Sequence, residues 1–187
     1  EVHLTNGDLD RQARTIAVEL AARGLTGERA LLIYPPGLDF IAGFFGSLYA
    51  GSVAVTAYPP RMNRSLARIE AIVADSQARI ALTTRAVWER IQPVLATTAG
   101  LKDIEWLVTD DLPQDMADRW RAPRIDSGTL AFLQYTSGST GTPKGVMLTH
   151  ANLLHNSALI EDCFEHARSG SGVFWLPSYH DMGLVGG

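Results

Sequence analysis

The chain has 187 residues, of which 46% are hydrophobic and 19% are charged, and its formal net charge is −4. This composition is typical of a folded globular protein and excludes a disordered chain. Lysine and arginine form no cluster, so we expect no nucleic-acid partner. Cys163 is the only cysteine, which excludes an internal disulfide and fits a reducing, cytoplasmic compartment.

Short apolar runs alternate with helical patterns through residues 1–111. Apolar residues spaced three and four apart indicate helices, and short runs rich in Val, Ile and Leu indicate buried strands. The predicted elements are helix 8–23, strand 30–34, helix 38–50, strand 52–57, helix 64–76, strand 80–83, helix 86–96 and strand 104–109. Such alternation predicts an α/β fold with a parallel, doubly wound sheet, which binds ligands beyond the carboxyl ends of its strands.

Residues 40–58 form an uncharged stretch that is long enough to span a membrane. Glycines interrupt the stretch, and Pro59 and Pro60 follow it. We therefore favour a buried helix that stops at Gly51 and a buried strand after it, and we expect no transmembrane segment.

Residues 112–128 combine prolines with many charged side chains. We predict that they connect a first α/β subdomain, residues 1–111, to the start of a second one, residues 129–187. The second part shows a strand at 129–135, a short apolar segment at 145–148 that is a possible strand, a helix at 151–166 and a strand at 173–176. No further element follows the last predicted strand, so we expect the chain to be a truncated piece of a longer protein.

The segment Tyr135–His150 reads YTSGSTGTPKGVMLTH and follows a buried strand directly. A flexible linker would not normally lie between a strand and further apolar residues. Glycines allow close backbone approach, and free N–H groups with hydroxyls suit phosphate oxygens. Pro143 before Lys144 and Gly145 after it do not match a Walker A loop, which argues against an unrelated P-loop kinase or NTPase. A solvated loop without a ligand is the remaining alternative.

The run YTSGSTGTPKGVMLTHANL resembles the phosphate loop of the adenylate-forming enzymes, the superfamily of acyl-CoA synthetases, luciferases and nonribosomal-peptide adenylation domains. The run WLPSYHDMGLVGG resembles the next motif of that superfamily, in the form seen in fatty-acyl-AMP ligases. The resemblance covers nearly the whole chain, and the fold it implies is the large N-terminal domain of these enzymes, truncated. Two positions depart from the pattern, Asn6 where an aromatic is common and Thr56 where a proline is common, and we interpret both as drift.

The resemblance implies a reaction in two steps. A fatty acid attacks the α-phosphorus of ATP, assisted by Mg²⁺, and gives an acyl-adenylate and pyrophosphate. The acyl group then passes to the phosphopantetheine thiol of an acyl carrier protein. An acyl-CoA synthetase, with CoA as the acceptor, and a non-catalytic nucleotide-binding remnant are the alternatives. The parent is either a free enzyme or a loading module of a polyketide or nonribosomal assembly line.

The resemblance also implies roles for single residues. The phosphate-binding positions are Thr136, Ser137, Gly138, Ser139, Thr140, Gly141 and Lys144. His180 matches the position beside the acyl carboxylate and the α-phosphate. Asp181 orients His180 or caps the next helix, and Gly183 permits the turn beside the substrate. The alternatives without a binding or catalytic role are a surface lysine for Lys144 and a structural histidine for His180.

The catalytic lysine and the metal-binding glutamate of the family match no position in this chain. We therefore expect no metal site within it, and no ligase turnover from the isolated chain.

Overall fold

The computed structural model describes residues 3–59, 66–95, 98, 100–136, 143–164, 172–173 and 175–186. The strands are β1 (Arg29–Ile33), β2 (Val53–Thr56), β3 (Ile80–Thr83), β4 (Glu105–Val108), β5 (Leu130–Thr136) and β6 (Lys144–Thr149). The α-helices are α1 (Asn6–Ala22), α2 (Leu38–Tyr49), α3 (Ala67–Ser76), α4 (Arg85–Leu95), α5 (His150–Phe164) and α6 (Asp181–Leu184). Two short 3₁₀ helices, Thr109–Asp111 and Gln114–Arg119, lie between β4 and β5.

The strands form one sheet in the order β4-β3-β1-β2-β5-β6. The pairs from β4 to β5 are parallel, which confirms the predicted sheet type, whereas β6 is antiparallel to β5. The possible strand at 145–148 is thus a strand, and its direction follows from the short connection, because parallel neighbours need a long crossover.

The strand predicted to open a second subdomain belongs to the same sheet as the first one. Ala54 of β2 pairs with Phe132 of β5, and Val55 pairs with Leu133. The division into residues 1–111, 112–128 and 129–187 stays a prediction.

Helices cover both faces of the sheet and enclose two apolar clusters. On one face α1 and α2 pack over the sheet through residues such as Leu20, Phe44 and Phe132. On the other face α3 and α4 pack through residues such as Ile72 and Ile91. Strands β2 and β3 are buried along their whole length, which explains why three consecutive apolar residues precede the threonine that ends each strand, without alternation.

Helix α1 begins with a capping box. The Thr5 hydroxyl accepts the Asp8 N–H at 3.1 Å, and the Asp8 carboxylate accepts the Thr5 N–H at 3.2 Å. These two bonds satisfy main-chain donors that the first turn of a helix leaves without partners.

The uncharged stretch at 40–58 contains the end of α2 and all of β2, as predicted. Within the described ranges, no helix combines the length and the apolarity needed to cross a bilayer.

The predicted strand at 173–176 is wrong for the residues that are described there. Val173, Trp175 and Leu176 adopt no strand conformation, and the side chains of Val173 and Trp175 are each 87% exposed. An apolar run becomes a strand only where a neighbouring strand shares its main-chain hydrogen bonds, and the described sheet includes none of these three residues.

Candidate active site

The phosphate-loop motif lies on the hairpin formed by β5 and β6. Thr136 is the last residue of β5, Lys144 is the first residue of β6, and the two are partners in the strand register. Both residues are exposed. A hydroxyl and an ammonium group therefore stand side by side at the base of the connecting loop. Of the other predicted phosphate-binding positions, Ser137, Gly138, Ser139, Thr140 and Gly141 lie outside the described residues, and their roles stay predictions.

Tyr135 anchors this hairpin to the body of the sheet. Its side chain is buried, and its hydroxyl donates a hydrogen bond to the carboxylate of Asp75 at the end of α3. Burial, followed by the bond to Asp75, raises the pKa of Tyr135 above its ordinary value. Gly145 is the register partner of Tyr135, and a Cβ atom there would lie 3.0 Å from the Tyr135 Cζ. A glycine thus lets β6 pass directly over the tyrosine ring.

His180 lies in the turn that starts α6 and is exposed to solvent. Its main-chain N–H donates to the Pro177 carbonyl at 3.0 Å, and its carbonyl accepts the Leu184 N–H at 2.9 Å. Its ring nitrogen Nδ1 accepts the N–H of Met182 at 3.3 Å. In a neutral imidazole whose Nδ1 accepts this hydrogen bond, Nε2 carries the proton and can donate.

Gly183 makes the turn around His180 possible for reasons of space. A Cβ atom at this position would lie 2.4 Å from the Pro177 carbonyl oxygen and 3.0 Å from that of Leu176. The predicted need for glycine at the turn fits this contact. Asp181 is the first residue of α6, and its predicted orienting or capping role stays a prediction.

The His180 segment is attached to the ends of β2 and β5. The Gln134 Nε2 donates to the Tyr179 carbonyl at 3.3 Å. The rings of Tyr58 and Tyr179 lie with centroids 4.6 Å apart, tilted by 57°. On the other side, the Asn156 amide donates to the Val185 carbonyl at 3.0 Å. The hairpin and the His180 turn, which are separate in the sequence, therefore meet at the carboxyl edge of the sheet.

A largely apolar cavity of about 570 Å³ opens beside this turn. It lies between the start of α2 and the segment that carries Gly183. The lining residues are Pro36, Gly37, Leu38, Ile41, Phe44, Phe45, Trp175, Leu176, Ser178, Gly183 and Leu184. Ser178 carries the one hydroxyl side chain of this lining, so the cavity suits a hydrocarbon group better than a charged one.

The described residues offer no ligand set for a metal ion. In the described part of the chain, no three or more His, Cys, Asp or Glu side chains are grouped as metal ligands. The absence of a metal site within the chain stays a prediction. Phosphate oxygens are better matched, because Thr136 and Lys144 are donors at one exposed edge.

Sequence reasoning missed Gln134 and Thr56, both of which are buried beside the candidate site. A signal was present, because each is a polar residue inside an otherwise apolar strand. Polar side chains at such positions are rarely buried without a hydrogen-bond partner.

With this fold and site, the chain belongs to the AMP-binding enzyme family, which matches residues 1–187. It is 46% identical, over 98% of its length, to the medium-chain-fatty-acid–[acyl-carrier-protein] ligase JamA of Moorena producens. It is 34% identical, over 97% of its length, to the long-chain-fatty-acid–AMP ligase FadD32 of Mycolicibacterium smegmatis. The chain covers 32% and 29% of these two proteins, so it spans about a third of the length of the curated relatives it matches.

A solved structure gives the same picture at the level of the fold. The fatty acyl-adenylate ligase from L. pneumophila, in complex with acyl adenylate and pyrophosphate, superposes with a TM-score of 0.89 and is 38% identical. The alignment covers 98% of this chain and 31% of that protein.

Proposed function

We propose that this chain is the N-terminal part of a fatty-acyl-AMP ligase. The complete protein activates a fatty acid with ATP as an acyl-adenylate and passes the acyl group to the thiol of an acyl carrier protein in the cytoplasm. The similarity to JamA, a fatty-acid–[acyl-carrier-protein] ligase, and to FadD32, a fatty-acid–AMP ligase, supports this reaction class.

The observation that carries the proposal is the meeting of the hairpin and the His180 turn at one edge of the sheet. The Gln134 amide donates to the Tyr179 carbonyl and so connects the strand before Thr136 to the residue before His180. Adenylation needs donors for phosphate oxygens and a group at the acyl carboxylate within reach of one substrate pair. This junction holds candidates for both.

The β5–β6 hairpin and the His180 turn contribute different groups to the adenylation step. A carboxylate oxygen forms a bond to the α-phosphorus, and the bond from that phosphorus to the pyrophosphate oxygen breaks. Thr136 and Lys144 donate to the phosphates that leave and so stabilise the growing negative charge. The Nε2–H of neutral His180 donates to a carboxylate or α-phosphate oxygen. Mg²⁺ bound with ATP would neutralise part of the charge on the phosphates.

The apolar cavity supports a fatty acid as the substrate rather than a polar acid. It is lined by Gly183 and Leu184, immediately after the His180 turn. An alkyl chain placed there is removed from water, which is favourable by about 0.8 kcal/mol for each buried CH₂ group. The carboxyl end of such an acid is then directed towards His180.

The test is fatty-acid-dependent exchange of labelled pyrophosphate into ATP by the complete parent protein. We expect exchange in the wild type and its loss in Lys144→Ala combined with Thr140→Ala. Lys102→Ala is the matched control, because Lys102 is an exposed lysine outside the site and should leave the exchange unchanged. A folded parent that shows no exchange with any acid contradicts the proposal and favours a nucleotide-binding remnant. ATP hydrolysis without an acid favours a kinase or NTPase instead.

The acyl acceptor is tested separately by product analysis. The parent is supplied with CoA in one reaction and with a phosphopantetheinylated carrier protein in the other. We expect acylated carrier protein and little acyl-CoA, as the name of JamA suggests for that relative. The reverse product distribution identifies an acyl-CoA synthetase.

A further inference from the structure

We propose that Gln134 and Thr56 are positioning residues for His180. They hold the main chain of Tyr179, the residue before His180, by hydrogen bonds from the carboxyl ends of β5 and β2. This inference rests on the function proposed above, in which His180 contacts the reacting groups.

The geometry fixes the direction of each bond. A main-chain carbonyl can only accept, so the group of Gln134 that faces Tyr179 at 3.3 Å is the Nε2 amide. The other polar atom of the amide, Oε1, then accepts a hydrogen bond from the Thr56 hydroxyl at 3.1 Å. The three groups form a chain in which Thr56 orients Gln134, and Gln134 holds Tyr179.

Burial makes this chain costly to break. Gln134 is 8% exposed and Thr56 is 2% exposed, so little water is available to replace a lost partner. Without the Thr56 hydroxyl, the buried Oε1 of Gln134 loses its donor, which costs more than the loss of an exposed hydrogen bond. The Thr56 hydroxyl also lies 3.4 Å from the Leu133 carbonyl oxygen, so it keeps an acceptor when Gln134 is replaced. On its far side the Tyr179 ring contacts Tyr58, so the segment is restrained from two directions.

The bonds act through His180 because Tyr179 is its neighbour in the chain. In the function proposed above, the β- and γ-phosphates of ATP are held by the hairpin that carries Thr136 and Lys144, so losing the restraint changes where the imidazole stands and leaves most of the affinity for ATP intact. Small displacements of a reacting group lower the rate steeply. We therefore expect a defect in kcat rather than in KM.

Thr56 takes on a different meaning from the one inferred from sequence. It stands where a proline is common in the family, and from the sequence alone the difference is interpreted as drift. A proline has neither a hydroxyl nor a free N–H, so it cannot make the bond that orients Gln134. We infer that this chain uses the threonine as part of its site.

The first experiment measures kcat and KM for ATP in the complete parent protein. We expect Gln134→Leu and Thr56→Val to lower kcat at least tenfold with KM changed less than twofold, and Thr56→Ser to restore kcat to within twofold of the wild type. Thr83→Val is the matched control, because the Thr83 hydroxyl is also buried and donates to the Ile33 carbonyl at 2.8 Å, away from His180. It should leave kcat unchanged.

The same variants are then made in a His180→Ala background. If Gln134 acts through His180, Gln134→Leu causes no further loss there. A full additional tenfold loss shows that Gln134 does not act through His180 and overturns the proposal.

The second experiment reads the position of the segment without any turnover. Hydrogen–deuterium exchange reports the amides of His180, Gly183 and Leu184, whose N–H groups are hydrogen-bonded within the turn. We expect these amides to exchange at least threefold faster in Gln134→Leu and Thr56→Val than in the wild type. In Thr83→Val they should exchange at the wild-type rate. Unchanged exchange in Gln134→Leu overturns the positioning role, whatever the activity. Faster exchange in a parent without ligase activity upholds that role and overturns the proposed function instead.

Discussion

At the scale of one residue, the turn that carries His180 requires glycine at position 183, because there is no space for a Cβ atom. Because a Cβ atom there would lie 2.4 Å from the Pro177 carbonyl oxygen, Gly183→Ala must move the turn that carries His180. We expect the variant of the parent protein to lose at least tenfold in kcat, with a midpoint of urea unfolding close to that of the wild type.

Gly128→Ala serves as the control for this prediction. A Cβ atom at Gly128 would meet only the Asp126 side chain, at 3.5 Å, which is an ordinary contact. Wild-type kcat in Gly183→Ala would contradict the assigned packing of the turn.

Tyr34 gives a prediction about pH. It is fully buried, and its hydroxyl pairs with that of Thr109 at 2.9 Å. Burial raises the pKa of Tyr34 far above its ordinary value, and the nearby Asp39 and Asp110 raise it further, while the bond to Thr109 opposes the shift. The folded state therefore holds this proton more tightly than the unfolded state. Its contribution to stability is complete below about pH 10, the pKa of a tyrosine in an unfolded chain, and is lost as the pH rises above it.

Tyr34→Phe should reduce this alkaline loss. We expect the free energy of unfolding to fall less between about pH 9 and about pH 11 in the variant than in the wild type. At pH 7 the variant should be less stable by about 1 kcal/mol, since it loses one buried hydrogen bond. Urea unfolding at the three pH values measures both effects. Equal alkaline slopes in the two proteins would show that Tyr34 ionises as readily in the folded state as in the unfolded one.

At the scale of elements, α1 and α2 approach closely through Gly46. A Cβ atom at this position would lie 2.7 Å from Cβ and Cγ2 of Ile16 and 3.2 Å from the Ala13 carbonyl oxygen. Alanine favours the helix by about 1 kcal/mol over glycine, but overpacking a core costs about 1–3 kcal/mol. We expect Gly46→Ala to lower the free energy of unfolding by about 1 kcal/mol, from the balance of these two effects.

Gly7→Ala is the matched helical control. Gly7 lies in the first turn of α1, and the nearest atom to an added Cβ is the Thr5 hydroxyl at 3.8 Å. Urea unfolding should show this variant to be at least as stable as the wild type. A stabilised Gly46→Ala would mean that α1 and α2 can separate at little cost.

At the scale of the whole molecule, the chain exposes an apolar surface beside the candidate site. None of the α5 residues is buried, and Met147, Leu154 and Phe164 are 68%, 69% and 71% exposed. Together with Trp175, these residues exceed the scattered apolar exposure that is normal for a monomer. We expect the isolated chain to self-associate at micromolar concentration, as measured by size-exclusion chromatography with light scattering.

Charged substitutions on this surface should reverse the self-association. Met147→Lys combined with Leu154→Glu is expected to shift the isolated chain towards a monomer. Ile125→Glu, at a residue that is 42% exposed outside the surface, should not. A monomeric wild-type chain at the same concentration would refute this account of the apolar surface.

Prediction from sequence worked where the information is local. The periodicity of apolar residues identified α1 to α4 and β1 to β5, because burial of one face or of a whole short strand leaves a pattern in the residues themselves. It also predicted α5, none of whose residues is buried here. It failed at the described residues of the 173–176 segment, which adopt no strand conformation. Part of the candidate site is equally local, because Thr136 and Lys144 belong to one sequence motif and face each other as register partners of β5 and β6.

Gln134 and Thr56 could not be assigned from sequence because their partners are distant. Gln134 bonds to a carbonyl 45 residues away, and Thr56 bonds to a side chain 78 residues away. A single sequence shows that a polar residue lies in an apolar strand, but it does not show which group that residue meets.

The sequence by itself determined the α/β class and the family membership that the two motifs indicate, and it predicted the residues that hold phosphate. These properties depend on residue type and on spacing over short stretches, and both are contained in the sequence itself. Only the tertiary structure decided that β5 joins the first sheet, that β6 runs antiparallel and that the His180 turn is held to β2 and β5. Those properties depend on contacts between segments far apart in the chain, and they form only when the sheet brings the ends of its strands together.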